Sequence, residues 1–247
     1  MSEELRKSYH EELDSIRDGI VRMAGRVTES IPRGTEVFLA GDLNEAQQVI
    51  EDDDVLDAMS VELEERCYQV LALQQPMASD LRAITTALWM NAEIERSGDL
   101  MVNIAKATRR IYGIEIDPRI RGLVVQMSEE AGRLFRLAID SYAEGDSGLG
   151  AALRDIDDRL DELHRETIQA IFETSQERQY DLQAGVQLAL VCRFYERIGD
   201  HAVNIGERVC YMVDGWHPEH TGALRANARK LNEFGAGDGG VLDVTED

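Results

Sequence analysis

The sequence is poor in cysteine and in long apolar runs. Its three cysteines, Cys67, Cys192 and Cys210, are odd in number and form no Cys-x-x-Cys pair. We interpret each as a small core residue rather than a metal ligand or nucleophile. No stretch approaches about 18 continuous apolar residues, and the first residues lack a signal-peptide core. These absences predict a soluble, cytoplasmic protein.

Basic residues are also scarce relative to acidic ones. The chain has 26 Lys and Arg against 48 Asp and Glu, a net charge of -22. This balance argues against a nucleic-acid binder. Because 43% of the residues are hydrophobic, there is enough apolar material for a core. Self-repulsion of this size is screened in concentrated salt, where the Debye length is ~3 Å at 1 M, so we expect a salt-adapted protein.

One ten-residue stretch occurs twice. Residues 95–104 read Glu-Arg-Ser-Gly-Asp-Leu-Met-Val-Asn-Ile, and residues 196–205 read Glu-Arg-Ile-Gly-Asp-His-Ala-Val-Asn-Ile. Upstream, Asp80-Leu81 matches Asp181-Leu182 at the same offset of 101. An internal repeat of this length predicts two copies of one structural unit.

Apolar residues at helical spacing fill the segments between the four prolines, and strand-like alternation is nowhere sustained. Asp42 or Asn44 is expected to cap the second helix. In the first copy, the first predicted helix ends by Pro32. The second runs from about Gly34 to Leu73 with a break at 41–44, and the third runs from about Ser79 to Tyr112. In the second copy, the first predicted helix begins after Pro118, and glycines at 145, 148 and 150 separate it from the next one. The last helix runs from about Tyr180 to Val213.

These segments predict an all-α protein made of two tandem three-helix bundles with six long helices. The first unit spans residues 1–114 and the second spans 115–214. Residues 215–247 are predicted to be an acidic, glycine-containing tail that is partly disordered.

Acidic and amide side chains are spaced four residues apart in each copy of the motif, which places them in one row on a helix. Like charges at this spacing repel, so something positive is expected beside them. Arg96 and Arg197 are candidates, but they point about 100° away from the neighbouring glutamates. A bound cation is the other candidate, and oxygen ligands suit a hard ion or iron. The two rows are Glu95, Asp99 and Asn103, and Glu196, Asp200 and Asn204.

The first row continues the apolar stripe of Leu81, Ile84 and Leu88, so we expect it on a buried face. In the second copy the stripe leads first to Cys192 or Arg193, which makes the inference weaker there. The preceding helices carry further pairs of aspartates four residues apart, which antiparallel packing would bring to the same place. In a chain this acidic, such pairs also fit a solvated face. The pairs are Asp53 with Asp57, and Asp157 with Asp161.

Two three-helix units, each with an Asp-Leu lead-in and Glu-Arg-x-Gly-Asp-x-x-x-Asn-Ile on the third helix, resemble the PhoU family. The segment Gln75-Pro76-Met77-Ala78-Ser79-Asp80-Leu81-Arg82 is also similar to that family's helix lead-in. The resemblance covers about residues 5 to 213. It implies a cytoplasmic homodimer that works with the ATPase subunit of a phosphate-specific ABC transporter at the membrane. It also implies a negative regulator that acts with a sensor histidine kinase on phosphate-starvation responses.

The resemblance further implies multinuclear transition-metal clusters, of iron, manganese or zinc, on the acidic rows. Lys106 stands where the second copy has Glu207, so we expect fewer or weaker metals in the first cluster. His201 replaces Leu100 and is interpreted as a surface histidine or an extra nitrogen ligand. The implied metal residues are Asp53, Asp57, Glu95, Asp99 and Asn103 in the first cluster, and Asp157, Asp161, Glu196, Asp200, Asn204 and Glu207 in the second.

Two other functions fit the pattern less well. A ferritin-like carboxylate oxidoreductase needs Glu-x-x-His twice, and the nearest match is a single Asp161-x-x-His164. A purely structural helical scaffold would bind no metal at all. No nucleophile with a base, phosphate-binding glycine loop or zinc motif indicates an enzyme.

Overall fold

The fold is built from long helices, as the sequence predicts. The computed structural model of the protein describes residues 2–178 and 182–215. Apart from Gly215, the predicted tail lies outside the described residues, and so does Asp181 of the second lead-in. The helices are α1 (Ser2–Ala40), α2 (Leu43–Gln74), α3 (Ser79–Arg110), α4 (Pro118–Glu144), α5 (Ser147–Arg178) and α6 (Leu182–Asp214).

The two three-helix units share one hydrophobic core. Helices α1, α3, α6 and α4 pack in a closed cycle. Helix α2 packs against α1 and α3, and helix α5 packs against α4 and α6. Phe38, Met90, Phe135 and Tyr195 are among the large side chains buried in this core. All three cysteines are buried and free, which confirms their structural interpretation. None of the described helices is both long and apolar enough to cross a membrane.

The predicted end of the first helix at Pro32 is wrong, because α1 continues through this residue to Ala40. A proline inside a helix removes one backbone hydrogen bond and costs about 3 kcal/mol. Pro32 itself is exposed, so the carbonyl left without a donor can reach water. Downstream, Thr35 and Phe38 are buried against the core. Their burial offsets the cost and keeps the last two turns helical.

The helix boundary lies instead at Gly41 and Asp42, inside the predicted break. Asp42 caps α2, since its carboxylate accepts hydrogen bonds from the backbone N–H groups of Asn44 at 2.9 Å and Glu45 at 3.1 Å. Of the two candidate caps, Asp42 is therefore the one used. Such a cap satisfies N–H groups that have no partner within the helix.

Replacing Asp42 by alanine should lower the free energy of unfolding by about 1 kcal/mol, the usual effect of losing an N-cap. Urea unfolding followed by circular dichroism measures the change. Asn44→Ala is the matched control and should change stability by less than about 0.5 kcal/mol. Equal losses from the two substitutions would contradict the assignment of the cap.

The predicted glycine break of the second copy is confirmed only at its first residue. Gly145 ends α4 with φ of 65°, a left-handed conformation that glycine adopts without strain. Gly148 and Gly150 lie inside α5, which begins at Ser147. Gly150 is buried, and the carbonyl of Gly206 on α6 lies next to it. Its small size therefore serves the packing of two helices and not a chain break.

Candidate metal site

The motif helices α3 and α6 lie beside each other and run in opposite directions. Arg82, near the start of α3, donates to the carbonyl of Met212 near the end of α6 at 3.1 Å. At the other end, Gln183 donates to the carbonyl of Arg110 at 3.4 Å. The start of each motif helix therefore lies beside the end of the other.

The glycine of each motif lets an aspartate of the neighbouring helix approach closely. A Cβ atom on Gly98 would lie 2.9 Å from Oδ1 of Asp53, and one on Gly199 would lie 2.5 Å from Oδ1 of Asp157. Real Cβ atoms essentially never come within 3.0 Å of another heavy atom, so a side chain at either glycine would force the neighbouring aspartate to shift. The motif therefore brings Asp53 against α3 and Asp157 against α6.

The first cluster contains the four carboxylates that the sequence predicts to converge. Asp53 is half-buried, and burial together with the charges of Asp57, Asp99 and Glu95 raises its pKa to about 6. Burial also raises the pKa of Glu95, followed by the charges of Asp99 and Asp57. These effects require the four groups to be near one another, since opposed carboxylates disfavour each other's ionisation.

Asp52, the neighbour of Asp53, has the opposite environment. Arg33 on α1 pairs with its carboxylate at 2.5 Å, and this hydrogen bond lowers the pKa of Asp52. After burial, the largest influences on the pKa of Asp53 are the negative charges of other carboxylates. Of these two consecutive aspartates, Asp52 thus pairs with a cation of the chain, and Asp53 lies among carboxylates.

The second cluster repeats this arrangement. Burial, then the charges of Asp161 and Asp200, raise the pKa of Asp157 to about 6. The pKa of Asp200 is also raised, chiefly by burial. Oδ1 of Asp157 and Oε2 of Glu196 are buried without a hydrogen-bond partner among the described residues. Buried carboxylate oxygens are costly in this state, and Asp157 Oδ1 is the one of the two that also lacks an ion pair, so it is available to a cation.

Sequence reasoning missed the arginines of the second cluster. Arg193 forms an ion pair with Glu196 and lies 4.0 Å from Asp200, and Arg154 pairs with Glu207. Arg193 precedes Glu196 by three residues and so shares its helix face. This spacing was the available signal. By contrast, Arg96 lies 3.8 Å from Glu93, one turn before the first row.

Both rows lie at the margin of the core. The prediction that the first row lies on a buried face is therefore wrong. Ile84 of the apolar stripe is buried, but Leu81 is 42% exposed. Along the first row, Glu95 and Asn103 are half-buried and Asp99 is exposed. Two charged carboxylates per helix are too expensive to bury fully without partners.

His201 and Asn204 face the other repeat and not the second cluster. His201 is only 5% exposed, and its Nδ1 lies 3.0 Å from Ser97 Oγ and 3.2 Å from the carbonyl of Glu93. The interpretation of His201 as a surface residue is therefore wrong, and its Nδ1 is directed toward α3. Because His201 follows Asp200 directly on the helix, its side chain points about 100° away from that of Asp200, toward α3. Asn204 donates to Oε2 of Glu93 at 3.2 Å.

The clusters have the chemistry of a metal site but not a finished coordination shell. Their donors are carboxylate oxygens, which suit hard cations and iron. Across the described ranges, no three His, Cys, Asp or Glu side chains are already placed to hold one ion. Exposed members such as Asp57, Asp99, Asp161 and Asp200 would have to rotate inward to join the half-buried ones.

The two halves of the chain that carry the duplicated motif both match a known protein family. The model of the PhoU domain matches twice, at residues 20–108 and 124–209. A protein of Mycobacterium tuberculosis named phosphate-specific transport system accessory protein PhoU homolog 1 is 35% identical over 215 residues. The match covers 87% of this chain and 96% of the relative. A Mycobacterium bovis protein named PhoU homolog 2 of the same system is 34% identical and covered completely, again over 87% of this chain.

The fold is similar to those of solved structures. The crystal structure of PhoU from Pseudomonas aeruginosa superposes with a TM-score of 0.79 and 28% identity, covering 84% of this chain and all of that one. A phosphate transport system regulatory protein PhoU from Streptococcus pneumoniae has the same fold, with a TM-score of 0.78, 20% identity and coverage of 85% and 98%. Both halves of the chain match the domain and its length matches whole relatives, so the chain belongs to the PhoU family.

Proposed function

We propose that this protein regulates phosphate uptake by binding a phosphate-specific transport system. The observation that carries the proposal is the match to relatives named as accessory proteins of that system, over 87% of this chain and 96% of the M. tuberculosis relative. Both copies of the motif fall inside the matched domains. The acidic clusters contain no nucleophile with an adjacent base, which favours binding over catalysis.

We further propose that each of the two clusters binds metal ions. Asp53, Asp57, Glu95 and Asp99 would hold the first, and the corresponding Asp157, Asp161, Glu196 and Asp200 the second. A bound ion would supply positive charge to the carboxylates that the arginines of the chain leave unpaired. Iron or manganese fits these oxygen donors better than zinc, which prefers nitrogen and sulfur. The buried Oδ1 of Asp157, which has no hydrogen-bond partner among the described residues, supports this proposal.

The partners follow from the relatives' names and from the family resemblance. We propose that the chain is a cytoplasmic homodimer that contacts the ATPase subunit of the transporter and a sensor histidine kinase, and that it acts as a negative regulator. A net charge of -22 favours a basic surface on the partner. Sedimentation in about 1 M salt tests the dimer, and co-purification with the transporter tests the contact.

The decisive experiment replaces Asp99 and Asp200 together by asparagine. We expect the variant to retain less manganese or iron after purification, and cells that depend on it to lose normal control of phosphate uptake. Metal content is measured by mass spectrometry and uptake with labelled phosphate. Asp140→Asn, an exposed residue of α4, is the control and should change neither.

A helical scaffold without metal is the second candidate, favoured by the lack of preformed ligand sets in the described residues. Ligand linkage separates the two functions, because binding to the folded state raises the melting temperature. The metal function predicts a lower melting temperature after chelation, restored by Mn²⁺. A ferritin-like oxidase is less well supported, since such sites use Glu-x-x-His twice and the nearest match in this chain is a single Asp161-x-x-His164.

A further inference from the structure

The two acidic clusters differ in the cations that the chain itself supplies. On α6, Arg193 forms an ion pair with Glu196 and lies 4.0 Å from Asp200. Arg154 on α5 pairs with Glu207. Three carboxylates of the second cluster thus already have a positive partner.

The first cluster has no such arginines. With the repeat offsets of 101 and 104, Arg193 corresponds to Ala92 and Arg154 to Ile50. Lys106 takes the place of Glu207, but it is exposed, and no ion pair joins it to a carboxylate within the described part of the chain. Within the described residues, the chain therefore provides fewer ion pairs to the first cluster than to the second.

We propose that Arg193 is a tethered cation that holds the second cluster against metal, so that the first cluster binds a divalent cation first. This inference rests on the proposed metal function and reverses the order expected from Lys106. A guanidinium competes with a metal ion for the same carboxylates, because either one must displace the other. Occupancy of the second cluster then requires Arg193 to leave.

The geometry makes this displacement feasible. The Arg193 side chain is 49% exposed, so it can rotate into solvent without leaving a cavity. Glu196 Oε2 faces the guanidinium but has no hydrogen bond of good geometry, and Asp157 Oδ1 also lacks a partner. Departure of Arg193 would leave both oxygens beside Asp161 and Asp200 for an incoming ion.

The test is a titration of chelator-stripped protein with Mn²⁺ alone, followed by calorimetry and electron paramagnetic resonance. Wild type should bind in a tight phase and a weak phase. Arg193→Ala, which copies Ala92, should tighten the weak phase on the order of tenfold, since removing a neighbouring positive charge acts like about one pKa unit. Arg193→Lys should keep the two phases. Asp57→Asn should abolish the tight phase and Asp161→Asn the weak one.

A second readout does not depend on metal. In chelator and low salt, Arg193→Ala should melt at a lower temperature than wild type, and the difference should shrink at about 1 M salt, where charges are screened. Two equal phases in wild type that Arg193→Ala leaves unchanged would overturn the inference while keeping the metal function. Absence of Mn²⁺ binding by both wild type and Arg193→Ala would overturn both. Binding by the variant alone would overturn the proposed order, since the first cluster of wild type would then hold no Mn²⁺.

Discussion

Replacing Gly206 by alanine should lower the free energy of unfolding by about 1–3 kcal/mol, the usual range for overpacking a core. A Cβ atom at this position would lie 2.5 Å from the backbone carbonyl oxygen of Gly150 and 2.6 Å from Leu153 Cδ1. The carbonyl belongs to helix α5 and cannot move alone, so α5 and α6 must separate. Thermal unfolding measures the effect, at about 2–4 °C for each kcal/mol in a protein of this size.

Gly25→Ala is the matched control for this substitution. Gly25 also lies inside a helix, but nothing lies within 4 Å of a Cβ placed there. The change should therefore stabilise the protein by about 0.5–1 kcal/mol through helix propensity alone. If Gly206→Ala were as stable as Gly25→Ala, the close contact of α5 and α6 would not exist in solution.

The first copy shows why this contact could not be predicted from the repeat. Gly150 and Gly206 correspond to Ala46 and Ala105, which are both completely buried. The sequence indicates that each pair is small, but it does not specify how closely the helices cross. That distance depends on the packing of all the side chains along α5 and α6. The fold class, repeat and six helices were predictable because they depend on local periodicity and proline positions.

The candidate site was predictable in its carboxylates and not in their partners. Spacing of four residues and an offset repeat were enough to group Asp53 with Glu95 and Asp157 with Asp200. Whether the neighbouring charge is a metal or Arg193 depends on side-chain direction. The same holds for His201, whose burial arises because α6 packs against α3, a contact between residues about a hundred positions apart. No local pattern contains that contact.

The second large effect concerns pH in the metal-free protein. Raising the pH from about 5 to about 8 in chelator should lower the free energy of unfolding. In the folded chain, burial and neighbouring carboxylates raise the pKa of Asp53 and of Asp157 from the ordinary 3.8 to about 6. The folded state therefore binds more protons in this range, and stability falls as they are released. Because both carboxyls are only half-buried, we expect about 0.5–1 kcal/mol from each after solvent screening.

Asp53→Asn combined with Asp157→Asn isolates these two carboxyls from the general repulsion of a chain with a charge of -22. Asparagine cannot ionise, so the double variant should lose part of the pH dependence and exceed wild type in stability at about pH 8 without metal. Urea unfolding at several pH values in constant salt measures both quantities. Mn²⁺ should restore wild-type stability at high pH and leave the variant little changed, because cation binding replaces the protons that the clusters release. If the free energy of unfolding depended on pH equally in wild type and the double variant, the two aspartates would be solvated and would not form cation sites.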